Sequence, residues 1–208
     1  MIVCLVTDRR RRPPIAQAKE AADAGVDLIH IRERDLKARD LSTVVAGVIA
    51  AARGSATRVL VNDRLDVALA CGAAGVHLRE DSIPARRVRS MAPHGFVIGC
   101  SVHGVSGAAA AAGEADYLIA GTMFPTASKP GLTGLLGLEG LAAVVKSVSV
   151  PVLAIGGMSV ERAADVAAAG AGGVAAIGLF ADPHRPIKEV VRQLRERFNM
   201  SSGSFPKP

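Results

Sequence analysis

Short apolar runs alternate with alanine-rich stretches along the chain. Eight runs read as strands, near residues 2–6, 28–32, 58–61, 75–78, 96–99, 117–121, 152–156 and 173–178. Between them, helical patterns fall over segments such as 16–24, 41–52, 85–91, 138–148 and 160–169, and a last helix over 187–198 closes the series. Such alternation indicates a parallel sheet, and eight units favour closure, so the expected fold is a single α/β domain, a (β/α)8 TIM barrel over residues 1–198. One connection breaks the pattern of short loops. The glycine-rich stretch 122–137 is sixteen residues long, more often a functional lid than idle chain.

Composition narrows the classes. A chain of 208 residues buries a core as one domain, and although 50% of its residues are hydrophobic, no apolar stretch reaches the length of a membrane span. Met1 leads straight into "IVCLVTD" with no basic-then-apolar leader, so a soluble, cytoplasmic protein with no membrane partner is expected. Cys4, Cys71 and Cys100 sit among apolar neighbours without metal-ligand spacing and read as reduced core thiols. The net charge of +6 and the run "DRRRRPP" at 8–14 raise nucleic acid as a partner, but only 3% of residues are aromatic and no nucleic-acid motif is present. That run reads as a solvated basic loop, or as one that gathers phosphorylated substrate. The small, polar, proline-broken segment 199–208 is expected to be a disordered tail.

Two strands in succession end at glycine, in "PVLAIGG" and "GVAAIG". Active sites of such barrels lie at the carboxyl ends of the strands, with a phosphate commonly held after strands seven and eight. Gly156, Gly157, Ile177 and Gly178 therefore form a candidate phosphate cradle of main-chain amides, helped by a helix starting near Ser159. Ordinary tight turns are the plain alternative. On the second strand, alternation puts Ile29 and Ile31 on the helix-facing side and His30, Arg32 and Arg34 on the other. Arg32 then points to the barrel mouth and needs an anion: either a ligand, or an internal carboxylate such as Glu33 or Asp63.

Further polar groups gather at the same rim. Asn62 and Asp63 end the third strand and suit magnesium or a polar substrate, or else cap the next helix. Ser101 and His103 follow the fifth strand, where His103 is a proton-transfer candidate, whereas His77 within "GVHL" reads as a satisfied core histidine. In the long loop, Thr126, Ser128 and Lys129 bring two hydroxyls and an ammonium together.

Taken as a set, "HIRER" (30–34), "VNDRLDVALACGAAGVHL" (61–78), "IGCSVHG" (98–104), "ADYLIAGTMFPTASKPG" (115–131) and "VLAIGGMS" (152–159) resemble the thiamine phosphate synthase and TenI family over residues 2–180. The resemblance implies a magnesium-dependent enzyme of thiamine biosynthesis. Its small-molecule substrates would be a pyrimidine diphosphate, which loses pyrophosphate, and a phosphorylated thiazole, whose ring nitrogen captures the resulting cation. It places Arg32 and Arg34 on pyrophosphate, and Asn62 and Asp63 on pyrophosphate and metal. Ser101 and Lys129 join them on the diphosphate side, with Thr126 and Ser128 near the thiazole phosphate. Two departures stand out. His30 and Arg34 replace the glutamine and lysine of the family's usual "QLREK", and Ser82 takes the place of a metal-binding aspartate, which leaves Asp81, one residue earlier, as the expected metal ligand beside Asp63. "IHIRER" and "SVH" are similar to TenI, a thiazole tautomerase, in which His103 would be the acid or base and no metal is needed. The synthase is the first reading, the tautomerase the second, and a non-catalytic phosphate-binding barrel the third. A homo-oligomer is compatible with all three.

Overall fold

The computed structural model describes residues 1–126, 131 and 133–202, with side chains through Met200. Eight strands form a closed, wholly parallel barrel in chain order: β1 (Ile2–Val6), β2 (Leu28–Ile31), β3 (Arg58–Asn62), β4 (Gly75–Leu78), β5 (Val97–Val102), β6 (Tyr117–Ala120), β7 (Val152–Ile155) and β8 (Gly173–Ala176). Helices α1 (Pro14–Asp23), α2 (Ala38–Ala51), α3 (Leu65–Ala70), α4 (Ala85–Met91), α5 (Val105–Ala111), α6 (Gly137–Lys146), α7 (Arg162–Ala168), α8 (Gly178–Ala181) and α9 (Ile187–Ser202) occupy the connections and the carboxyl end. No helix among the described residues is long and apolar enough to cross a membrane.

The period of two along each strand creates two cores. Outward residues such as Ile29, Ile31, Val59, Val61 and Leu118 pack beneath the helices. Inward residues such as Cys4, Leu28, Leu60, Tyr117, Ile119 and Leu153 fill the barrel itself. A fully buried Ile or Leu contributes about 1.5–3 kcal/mol through area removed from water. Because the apolar plug fills most of the barrel's length, the inward polar residues His30, Asn62, His77 and Ser101 are left for the end where the strands finish. Burial also fixes the thiols: Cys4 and Cys100 are free and buried, and desolvation pushes them up to about 12 and about 11. They stay protonated and inert.

Element boundaries move in places. β5 runs on through Val102 and so carries Ser101 inside the strand. Helices α3 and α8 have six and four residues, too short to show a helical period in the sequence, and the seven residues of α5, VSGAAAA, bury only Ala108 and so carry no apolar stripe. α7 starts at Arg162, because Ser159–Glu161 form a turn first, and at seven residues it brings little dipole to the strand-seven loop. α9 continues to Ser202, so residues 199–202 of the expected tail are helical, while 203–208 lie outside the described residues.

Gly99 on β5 is paired with Tyr117 on β6. The tyrosine ring occupies the place where a β-carbon on Gly99 would stand. Gly99→Ala should therefore destabilise the fold by about 1–3 kcal/mol through overpacking, read as a lower urea midpoint with unchanged slope. A variant as stable as the parent would show that the ring has room to move.

Candidate active site

At the carboxyl ends of β1 and β2, Glu33 is buried and fully engaged. It accepts a hydrogen bond from the Thr7 hydroxyl at 2.7 Å, one from the Arg9 amide at 3.0 Å, and pairs with the Arg9 guanidinium at 3.2 Å. Thr7 in turn accepts from the Arg32 amide at 3.0 Å, fixing the turn out of β2. Arg32 is half-buried and makes no salt bridge to any carboxylate among the described residues. Burial first, then the neighbouring charge of Arg34, lowers its affinity for its proton, with Arg79 adding to the effect; Asp8 and Glu33 oppose it from a distance. Of the internal partners considered for Arg32, Glu33 is taken by Arg9, and Asp63 accepts a hydrogen bond from the Ser82 hydroxyl. Three guanidinium groups, Arg32, Arg34 and Arg79, thus act on one another with their charge incompletely answered, which favours a bound anion.

Deeper in the mouth, two histidine rings lie with centroids 4.5 Å apart. Burial lowers both: His30 is pushed down to about 3, and His77 well below the ordinary imidazole value. Each therefore carries a single N–H. His77 Nδ1 lies 2.9 Å from the Tyr117 hydroxyl, and its Nε2 lies 2.9 Å from Ser101 Oγ. Burial pushes the phenol well above its usual value, so Tyr117 keeps a proton to donate. With no second acceptor for that proton among the described residues, the arrangement that satisfies every group has Tyr117 donating to Nδ1 and Nε2–H donating to Ser101. The serine's own proton is then free for an acceptor in the mouth. His30 Nε2 lies 3.2 Å from Asn62 Oδ1, while its Nδ1 is buried with no partner. A buried bare nitrogen is costly, and a ligand donor would satisfy it.

Neither Asn62 nor Asp63 caps α3, whose N-cap position is Arg64 with no side-chain hydrogen bond. Asp63 instead adopts a left-handed backbone, φ 62°, a conformation that aspartate tolerates and that concentrates at functional sites. The two aspartates of the expected metal set are separated in role. Ser82 turns to Asp63, whereas the exposed Asp81 pairs with Arg79. Glu80, which the sequence does not single out, accepts a hydrogen bond from His103 Nδ1–H at 2.7 Å, forming an exposed pair at the rim. Among the described residues no cluster of three acidic, histidine or cysteine side chains forms a ready metal site.

The strand-seven glycines hold a surprise. Gly156 and Gly157 have φ 100° and 62°, and the space where their β-carbons would stand is taken by the chain's own Thr122–Pro125 segment. Their glycine character thus serves close packing of the long loop, while the Gly157 amide remains without a partner among the described residues. Arg162 secures the turn by donating to the Gly157 carbonyl and lying 4.4 Å above the Phe124 ring. Ile177 lines the inner core, and Gly178 is exposed at the end of β8. Thr126 is half-buried at the loop's described edge; Ser128 and Lys129 lie outside the described residues. A separate hollow of ≈ 850 Å³ opens at the opposite end, between Leu28, Arg58, Val97 and Tyr117. Its aspartates are already engaged, Asp27 by Arg195 and Asp116 by Arg89.

A closed parallel barrel with uncompensated cations, a directed hydroxyl and a carboxylate at its carboxyl-end mouth is the architecture of an enzyme of the (β/α)8 class. The model of the thiamine monophosphate synthase family matches residues 3–180, and the chain belongs to that family. It is 40% identical over 184 residues, 86% of each chain, to a putative thiamine-phosphate synthase of Geobacter sulfurreducens. To the thiamine-phosphate synthase of Methanoculleus marisnigri it is 39% identical over 197 residues, 93% of each chain. Among solved structures, thiamine phosphate pyrophosphorylase from Pyrococcus furiosus superimposes with a TM-score of 0.85 at 32% identity, covering 97% of both chains.

The neutral, buried His30 makes a pH prediction. Between its folded value of about 3 and the ordinary 6.5, the unfolded chain holds a proton that the folded chain lacks, so stability falls as pH drops through that window. His30→Gln removes the site. Between pH 7 and 5, wild type should lose on the order of 2 kcal/mol more stability than the variant in urea titrations. Equal losses would contradict a buried neutral imidazole.

Proposed function

We propose that this chain is a thiamine-phosphate synthase, a transferase that joins hydroxymethylpyrimidine diphosphate to a thiazole phosphate with release of pyrophosphate. It would act in the cytoplasm on these two small molecules. The observation that carries the reading is Arg32, half-buried, free of any salt bridge among the described residues, and flanked by Arg34 and Arg79. As the pyrimidine's carbon–oxygen bond breaks, negative charge builds on the departing diphosphate. Cations already fixed in place stabilise that charge without reorganising. Ser101 donates its hydroxyl hydrogen bond to a diphosphate oxygen, and the bare His30 Nδ1 accepts one from a donor on the pyrimidine ring, in the position where the family usually has glutamine. The thiazole ring nitrogen then attacks the cation, and its phosphate rests on the amides of Gly157 and Gly178.

Magnesium fits the oxygen donors present. Asp63 supplies one carboxylate, and Asn62 and Ser82 supply neutral oxygens, a set that suits an ion taking most of its ligands from water and substrate phosphate. When bound there, the ion neutralises part of the charge on the leaving group. Asp81 joins such a site only by releasing Arg79. Arg32→Ala should cut kcat/KM for pyrophosphate release by about 100- to 1,000-fold, with Arg32→Lys intermediate, and chelation by EDTA should abolish a rate that added magnesium restores. An alanine variant within a few-fold of wild type would remove Arg32 from the site.

One contact favours a second reading, thiazole tautomerase. His103 is paired to Glu80 at 2.7 Å, the arrangement of a base held by an orienting carboxylate. On this reading, His103→Ala abolishes conversion of the unaromatised thiazole phosphate isomer and leaves pyrophosphate release within about threefold of wild type. Coupled assays on the two substrate sets separate them, and unchanged isomer conversion would reject the role of His103.

A further inference from the structure

Four consecutive arginines follow β1, and three of them are spent. Arg9 pairs with Glu33 at 3.2 Å and with Asp35 at 2.6 Å, Arg10 pairs with Asp35 at 2.8 Å, and Arg12 pairs with Glu20 at 2.5 Å and donates to the Phe180 carbonyl at 3.3 Å. Arg11 differs. Its side chain makes no hydrogen bond or ion pair among the described residues, and its Nη1 lies 3.3 Å from the point where a β-carbon on Gly178 would stand.

The geometry points to Arg11 as a phosphate ligand, the side chain through which the loop between β1 and α1 grips the thiazole phosphate at the end of β8. This assignment rests on the synthase reading and adds to it a residue that the family resemblance does not supply. The loop is built to hold a cation there. Its backbone is a tight turn, with the amides of Arg11 and Arg12 both donating to the Asp8 carbonyl, at 2.9 and 3.1 Å. One side of the turn is anchored to β2 through Glu33, and the other to α8, where Arg12 and Gln17 share the Phe180 carbonyl, Gln17 at 2.9 Å. Arg11 is therefore presented by its neighbours without being used to fasten the loop.

Gly178 leaves the guanidinium room, since a β-carbon at 3.3 Å would crowd it. The Gly178 amide, without a partner among the described residues, opens at the same place. A guanidinium fork beside a main-chain N–H matches the oxygens of a phosphate monoester. The barrel order adds a second argument: β1 lies between β2 and β8. Arg32 stands uncompensated on the β2 side and Arg11 on the β8 side, two unspent cations for a reaction whose substrates carry a diphosphate and a monophosphate.

Steady-state kinetics of Arg11→Ala, with each substrate varied at saturation of the other, tests the assignment. KM for the thiazole phosphate should rise by about 10- to 100-fold, the loss of a charged hydrogen bond, while KM for the pyrimidine diphosphate and kcat stay within about threefold. Arg11→Lys should recover part of the loss, and Arg10→Ala, a neighbour as exposed as Arg11 but paired with Asp35, should show none. With the thiazole alcohol, which lacks the phosphate, wild type and Arg11→Ala should perform alike. An unchanged KM for thiazole phosphate, or an equal penalty with the alcohol, overturns the assignment. Inactivity of wild type itself would sink the synthase reading instead; calorimetric titration with inorganic phosphate then still decides Arg11, which predicts weaker binding to Arg11→Ala and is overturned by equal binding.

Discussion

The carboxylate of Glu33, buried where β1 and β2 end, takes a proton donor from Thr7 and a positive charge from Arg9. A buried carboxylate demands such partners, and removing one would cost about 3–5 kcal/mol. Its satisfaction from the β1 side governs the mouth, because the carboxylate adjacent to Arg32 in sequence is thereby unavailable to it. Arg32 is left half-buried with Arg34 and Arg79 for company. A fold that spent Glu33 on Arg32 would have a neutral rim. This one keeps a standing demand for an anion, which any anion bound among these guanidinium groups would answer.

The polar chain beneath that rim does a different job. Tyr117, His77 and Ser101 are linked at 2.9 Å each, from the apolar plug toward the mouth. Burial keeps the phenol protonated and the imidazole neutral, so proton direction along the chain is set by desolvation rather than by solvent pH. Together with His30, whose Nδ1 stays bare, it gives the mouth one directed donor and one directed acceptor beside its positive charge. Diphosphate, a proton acceptor, and an aminopyrimidine, a proton donor, match those two groups.

Much of this was legible in the sequence. Apolar runs of period two separated by helical stretches gave eight strands in order, and alternation on β2 put Ile29 and Ile31 outside and His30 inside, as their core clusters have it. Contacts between strands were not legible. Nothing in "ADYLIAG" announces that Tyr117 reaches His77, because that depends on the β4–β5–β6 register and on Gly99 yielding space. Glu33 was weighed as a partner of Arg32, but its capture by Arg9 follows from a loop whose path the sequence does not reveal. The Gly156–Gly157 pair was read as a phosphate cradle; the structure gives the glycines' missing side chains to the approach of Thr122–Pro125. The short helices α3 and α8 carry too few turns for any period to emerge, and α5, with Ala108 its one buried residue, has no apolar stripe to read.

The central claim is that the mouth holds unanswered positive charge awaiting a diphosphate. Isothermal calorimetry of inorganic pyrophosphate, with and without magnesium, measures this directly, comparing wild type with Arg32→Gln. The account predicts saturable one-to-one binding that tightens with magnesium and is lost in the variant. Binding that is absent in wild type, or identical in the two proteins, would contradict it.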